Sequence, residues 1–279
     1  MYTSCVPCDI DAAVLSNTRL SDDYNVLALA APEIAGLARP GQFIMIKPSH
    51  GSDPLLRRPF SIFEVLRSVN GLPTGVSLLN KRVGAGTRLL YDVERGAHLK
   101  CLGPLGRAFE PIEPPAKAWM AAGGVGLAPF LTLAEALVAR GTSTTLFYGA
   151  RGARELYYIE TFERLGVRTV LATEDGSRGT KGFVTGPLTD ALGALRPGEV
   201  VKLYVCGPTP MMRAAASIAE FHGQSCDVSL EQVMGCGLGG CYSCVVLTRQ
   251  PGAPPHFVRS CLEGPVFDAG RIVWEALGI

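Results

Sequence analysis

Cys236, Cys241 and Cys244 stand in the spacing C-x4-C-x2-C, and Cys261 follows after a gap. Glycine surrounds these cysteines in the run Met234-Gly235-Cys236-Gly237-Leu238-Gly239-Gly240-Cys241-Tyr242-Ser243-Cys244. Glycine lets a loop wrap closely around an inorganic core and aim backbone N–H groups at sulfur. The spacing is that of a plant-type 2Fe–2S cluster. Structural zinc usually takes two separated C-x2-C knuckles, and only Cys241 and Cys244 form one. Disulfides belong to oxidising compartments, and nothing near Met1 reads as a secretory signal. The spacing favours iron–sulfur, with zinc and disulfides as the alternatives. A cluster of this kind takes up and releases single electrons, so the chain reads as an electron carrier.

The chain has 279 residues, enough for about two domains. Apolar residues make up 47% and charged ones 18%, a balance that suits a well-buried globular protein. A net charge of +1 shows no bias toward nucleic acid or anionic membrane. The one long uncharged run, Ala118 to Ala134, holds Gly123, Gly124, Gly126 and Pro129. It reads as strand, turn and helix, and no membrane insertion is expected. Cys5, Cys8, Cys101, Cys206 and Cys226 lie outside the cluster spacing. The Cys5-x2-Cys8 pair at the terminus reads as inert more readily than as a metal site.

Hydrophobic periodicity divides the chain into three parts. Residues 1–115 show short apolar alternations between turn residues, as in Phe43 to Ile46, Val76 to Leu79 and His98 to Leu102, and predict a small antiparallel β-barrel or sandwich. Residues 116–225 alternate strands with helices and predict an α/β unit with a parallel sheet. Strands are expected at Ala118 to Ala122, Thr144 to Tyr148, Val167 to Ala172 and Val200 to Cys206. Helices are expected at Ala128 to Arg140, Glu155 to Leu165 and Thr209 to Phe221. Residues 226–279 form a cysteine-rich tail too short for a large core, which the cluster would organise.

Four motifs carry chemistry. Arg57-Arg58-Pro59-Phe60-Ser61 offers a guanidinium fork for a pyrophosphate, a flat ring for an isoalloxazine and a hydroxyl for a ring nitrogen. Leu79-Asn80-Lys81 runs on to Gly84-Ala85-Gly86-Thr87, where glycine permits close approach to a phosphate and Thr87 can donate. Taken with Arg58, the pair reads as one phosphate site. Gly123-Gly124-Val125-Gly126-Leu127-Ala128-Pro129 lies between a strand and a helix, where a helix N-terminus can hold phosphate, and Pro129 suits the first helical turn. Cys206-Gly207-Pro208 follows another buried strand, where ligands bind in such sheets. Glu174-Asp175-Gly176 also follows a strand, but reads slightly better as a solvated turn. His50, His98, His222 and His256 form no recognisable catalytic arrangement. Hydride transfer needs alignment and exclusion of water and no protein acid or base, so their scarcity fits a redox reading.

In this order the motifs resemble those of ferredoxin-NADP reductase-like flavoproteins, and among them the electron-transfer subunits of class 1B dihydroorotate dehydrogenases. The run Ser229-Leu230-Glu231-Gln232-Val233-Met234-Gly235-Cys236 and the closing Cys261-Leu262-Glu263-Gly264-Pro265 complete the pattern. The resemblance implies that residues 1–115 are a FAD-binding barrel, with FAD against Arg58, Pro59, Phe60, Ser61, Leu79, Asn80, Lys81, Gly86 and Thr87. It implies NAD(H) on Gly124, Gly126 and Pro129 and near Cys206, Gly207 and Pro208, with Ser61 and Cys206 at the reacting atoms. It implies a 2Fe–2S cluster on Cys236, Cys241, Cys244 and Cys261. Relatives carry Ile or Tyr where Phe60 stands, which implies changed flavin packing and the same flavin. The implied function is electron transfer between NAD(H), FAD and the cluster and a partner flavoprotein, most simply an FMN-containing dihydroorotate dehydrogenase of pyrimidine biosynthesis, in a cytoplasmic hetero-oligomer expected as a heterotetramer. A diaphorase subunit of a hydrogenase or of a flavin-based transhydrogenase, and a non-enzymatic metal-stabilised adaptor, are the alternatives. Arg151 and Arg154 follow the second strand, where a 2′-phosphate could be read, and the resemblance favours NADH.

Overall fold

The computed structural model describes residues 6–49 and 51–277, so Cys5 and His50 lie outside the described residues. The first part builds seven antiparallel strands: β1 (Cys8–Arg19), β2 (Tyr24–Ala30), β3 (Phe43–Ile46), β4 (Arg58–Ser61), β5 (Glu64–Arg67), β6 (Pro73–Lys81) and β7 (His98–Leu105). Two short helices, α1 (Pro32–Leu37) and α2 (Ala85–Asp92), interrupt them. The strand order is β4-β3-β7-β1-β2-β6-β5. Its two edge strands, β4 and β5, are consecutive in the chain, and the corner between them curls the sheet into a barrel. There Ile62 N–H donates to Gln42 O at 3.0 Å and Phe63 N–H donates to Ser77 O at 2.9 Å. Alternation puts Ala12, Leu27, Leu29, Ile44, Ile46 and Leu78 into the barrel core.

The second part builds β8 (Lys117–Gly123), a 3-10 turn (Gly124–Leu127), α3 (Phe130–Ala139), β9 (Thr144–Ala150), α4 (Ile159–Arg164), β10 (Arg168–Thr173), β11 (Thr180–Lys181), α5 (Thr185–Gly193), β12 (Val201–Cys206), α6 (Thr209–Phe221) and β13 (Ser225–Ser229). The sheet order is β11-β10-β9-β8-β12-β13, followed by β16 (Val266–Asp268) from the tail. The strands are parallel except β16, which runs antiparallel to β13. Strand order reverses between β8 and β12, and such a switch point opens a crevice at the carboxyl ends of the strands.

The helix expected over residues 155–165 is shorter. Tyr158 takes a left-handed backbone (φ 61°), which separates a 3-10 turn at Ala153–Glu155 from α4. The helix expected from Ala128 starts at Phe130, because the 3-10 turn precedes it and Pro129 caps it. α5 and β11 were not expected. The expected break between residues 225 and 226 falls within β13, whose Cys226 pairs with Leu203 of β12.

The tail packs on both other parts. A hairpin of β14 (Val245–Gln250) and β15 (Ala253–Arg259) buries Val246 and Val258 against the core of the parallel sheet. The short α7 (Ser260–Glu263) then carries Cys261 back to the barrel. One core joins barrel and parallel sheet through Tyr24, Phe63 and Leu79 on one side and Phe130, Tyr148 and Tyr204 on the other. Among the described residues, no helix is long and apolar enough to cross a membrane.

Candidate redox site

The cluster loop lies on the outside of the barrel. Cys244 and Cys261 are buried there among Phe43 and Met45 of β3 and Leu102 and Leu105 of β7. Cys236 is half-buried and Cys241 exposed. Gly237 allows this approach, because its φ of 73° is open to glycine and a Cβ there would meet Met45 and Leu105. The Cys244 sulfur accepts the Cys261 backbone N–H at 3.4 Å. Leu238 N–H donates to Cys236 Sγ at 3.3 Å.

This donor set fits a 2Fe–2S core. Four thiols, with backbone N–H groups aimed at the sulfurs of Cys236 and Cys244, suit two irons. One structural zinc needs its ligands around a single point. The described cysteines, the four of the cluster spacing among them, are all free thiols. Ser243 shapes the exposed edge. Its hydroxyl lies 3.2 Å from Cys241 Sγ and accepts the Gly235 N–H at 2.9 Å. Hydrogen bonding to Ser243 holds the Cys241 thiol down to about 6. Burial, and next the hydrogen bond with Cys244, pushes Cys261 up to about 12.

Arg58, Pro59, Phe60 and Ser61 form edge strand β4 and are all half-buried. Among the described residues, β4 pairs only with β3. Arg58 lies against the turn that starts α2: a Cβ on Gly86 would stand 3.4 Å from Arg58 Nε and 3.3 Å from Pro48 Cγ. Arg58 and the glycine turn therefore lie side by side. Phe60 packs against the barrel core. Leu79 is buried in the joining core, and Lys81 Nζ lies 5.3 Å from the ring centre of Tyr24.

Two residues expected at the cofactor are engaged elsewhere. The Thr87 hydroxyl accepts the N–H groups of Val83 and Gly84 and donates to Gly84 O, which caps α2. The Asn80 amide donates to Asn25 Oδ1 at 2.7 Å and to Thr87 O at 2.9 Å. Asn25 in turn donates to Asn17 Oδ1, and Asn17 donates to the carbonyls of Tyr91 and Val93. The three asparagines tie β1, β2 and β6 to both ends of α2. Among the described residues, Asn80 Oδ1 and Tyr24 Oη are buried without a partner.

The nucleotide crevice opens at the carboxyl ends of β8 and β12. Its two glycine turns touch: a Cβ on Gly126 would stand 2.7 Å from Gly207 N and closer still to the Cys206 carbonyl. Gly124 faces the barrel, with Tyr24 Oη 3.7 Å from where its Cβ would be. Cys206 ends β12, paired with Ala122 on one side and Ser229 on the other. Burial, and next the charge of Glu231, pushes its thiol up to about 12, so it is neutral at pH 7. On the next strands, Arg151 pairs with Glu155 at 2.8 Å. Asp175 accepts from Ser177 N–H and Oγ–H, with its carboxylate 2.7 Å from where a Gly152 Cβ would be.

Residues 231–273 match the iron–sulfur cluster binding domain of dihydroorotate dehydrogenase B, and residues 120–217 match the oxidoreductase NAD-binding domain. The dihydroorotate dehydrogenase B (NAD(+)) electron transfer subunit of Desulforamulus reducens is 38% identical over 95% of this chain and 98% of its own. This chain belongs to the family of dihydroorotate dehydrogenase B electron transfer subunits. The family's subunit from Fusobacterium nucleatum is 32% identical over 95% of this chain and 98% of its own. A solved NADH-dependent reduced ferredoxin-NADP oxidoreductase superposes with a TM-score of 0.81 at 26% identity, over 99% of this chain and 93% of that one. A ferredoxin NADP+ reductase from Neisseria gonorrhoeae shares the fold, with a TM-score of 0.63 over 77% of this chain and 92% of that one.

Within this electron transfer subunit, sequence reading missed Asn17, Asn25, Ser243, Tyr24 and Arg259. Ser243 had a signal in its place between two cysteine ligands. The asparagines had none, because only strand register brings them together.

Proposed function

We propose that this subunit carries electrons between NAD(H), FAD and a 2Fe–2S cluster and exchanges them with a catalytic, FMN-containing dihydroorotate dehydrogenase subunit in pyrimidine biosynthesis. FAD, when bound, takes two electrons together as hydride and releases them singly through the cluster. Arg58 and the Gly86 turn hold its phosphates, Phe60 and Ser61 position its ring, and Asn80 and Thr87 hold the walls of that cleft. The Gly124 to Pro129 and Cys206 to Pro208 turns hold the nicotinamide nucleotide, with neutral Cys206 beside the ring. Cys236, Cys241, Cys244 and Cys261 hold the cluster. In this reading residues 1–115 are the flavin part, 116–225 the nucleotide part and 226–279 the cluster part. NADH is preferred to NADPH, and the chain works in the cytoplasm.

The observation that carries this reading is the burial of Cys244 and Cys261 against β3. That strand also pairs with β4, so cluster and flavin cleft share one wall. The test is anaerobic titration of the isolated chain with NADH. Bleaching of both flavin and iron–sulfur absorbance is expected; zinc-loaded, iron-free protein would defeat the reading. A native pull-down tests the partner, and recovery of a dihydroorotate dehydrogenase catalytic subunit is expected. The likeness to the NADH-dependent reduced ferredoxin-NADP oxidoreductase over 99% of the chain favours a second reading, in which a transhydrogenase-type complex is recovered instead.

A further inference from the structure

Arg259 ends β15, two residues before Cys261. Its guanidinium donates to Gly239 O at 2.9 Å and to Tyr242 Oη at 3.4 Å. It also lies 4.9 Å from the centre of the Tyr242 ring. Gly239 and Tyr242 both belong to the loop between Cys236 and Cys244, so the charge is held against that loop. Among the described residues, Arg259 takes part in no ion pair. A guanidinium stays protonated at every working pH. Half-buried and uncompensated, it acts on its surroundings through less water than an exposed charge does.

An iron–sulfur cluster gains one negative charge on reduction, and its potential follows local charge, hydrogen bonding and exposure. We propose that Arg259 is a positioning residue that raises the reduction potential of the cluster, and so sets how readily an electron leaves the flavin for it. The step moves one electron from reduced flavin to the oxidised cluster, and no bond to Arg259 forms or breaks. The proposal rests on the ligand set Cys236, Cys241, Cys244 and Cys261.

The test is a redox titration of the full holo-chain, followed by electron paramagnetic resonance and visible absorbance, with iron content measured beside it. Arg259→Gln removes the charge, and Arg259→Lys keeps it. Arg259→Met also removes the charge and keeps a long side chain against the loop. Arg259→Gln and Arg259→Met are expected to shift the flavin–cluster equilibrium about tenfold away from the reduced cluster, about 59 mV for a one-electron couple. Arg259→Lys is expected to stay near the wild-type potential. A wild-type potential in whichever of Arg259→Gln and Arg259→Met retains its iron overturns the proposal. Loss of iron from both overturns it as well, in favour of a purely structural role for Arg259. A wild-type chain with no 2Fe–2S signal overturns the ligand set and this proposal with it.

Discussion

A Cβ on Gly237 would stand 2.6 Å from Cγ of Met45, so the cluster loop rests directly on barrel strand β3. Met45 in turn pairs with Pro59 of β4. The loop thus rests on β3, and β4 is the neighbour of β3 in the same sheet, so the proposed flavin and cluster sites share that sheet. Gly237→Ala is expected to push the loop off this seat, because the backbone there is left-handed and Met45 is fully buried. The expected cost is about 1–3 kcal/mol, concentrated in the loop. The check is iron and flavin content per purified chain: iron falls and flavin is retained. Equal loss of both would show that the loop also supports the barrel.

Asn25→Ala tests the asparagine chain. The substitution removes the acceptor of the Asn80 amide and the donor to Asn17 in one step. Asn25 and Asn80 are both buried, and stranded buried polar groups cost about 1–3 kcal/mol. Thermal unfolding should shift down by several degrees. Because the chain anchors both ends of α2, flavin affinity should fall as well. An unchanged flavin dissociation constant would mean that α2 keeps its place through packing alone.

The parts legible in the sequence are those whose signal is local. The cysteine spacing, the two glycine turns, β3 and α6 each lie within one short run, and α6 spans Thr209–Phe221 as expected. What the sequence hid depends on register or on one backbone torsion. Asn17, Asn25 and Asn80 sit on three strands, and only the pairings of β1 with β2 and β2 with β6 align them. Tyr158 breaks a helical pattern through a left-handed torsion that no propensity marks. β16 joins the parallel sheet from the far end of the chain, so the tail reads as separate in sequence while its strand completes the second sheet.

Asp175→Asn addresses the choice of nucleotide. The Asp175 carboxylate stands at Gly152 beside the end of β9, and Arg151 is engaged by Glu155. Hydrogen bonds from the Ser177 side chain hold the Asp175 carboxyl below its usual range, so it is ionised throughout the physiological range. A 2′-phosphate entering there meets a negative charge, and Arg151 is already paired with Glu155. The wild-type chain should therefore favour NADH. Asp175→Asn should raise kcat/KM for NADPH about tenfold and change that for NADH much less. Steady-state diaphorase assays with both nucleotides decide it, and an unchanged NADPH value would place the adenosine end elsewhere.

Cys241→Ser separates electron transfer from folding, because Cys241 is the exposed member of the four thiols. Cys244 and Cys261 are buried against the barrel, and replacing either would also disturb that packing. At Cys241 the side chain faces solvent beside Leu238 and Tyr242, which are 55% and 62% exposed. Serine keeps the size of the side chain and removes the thiolate, which Ser243 favours in the parent chain. The expected outcome is a chain that retains FAD and is reduced by NADH at its usual rate, with the 2Fe–2S signal lost and delivery to the partner abolished. Stopped-flow absorbance of the flavin and reduction of the partner's flavin give the two readouts. Loss of both would assign the cluster a structural role as well as a redox one, since metal binding and folding are then coupled.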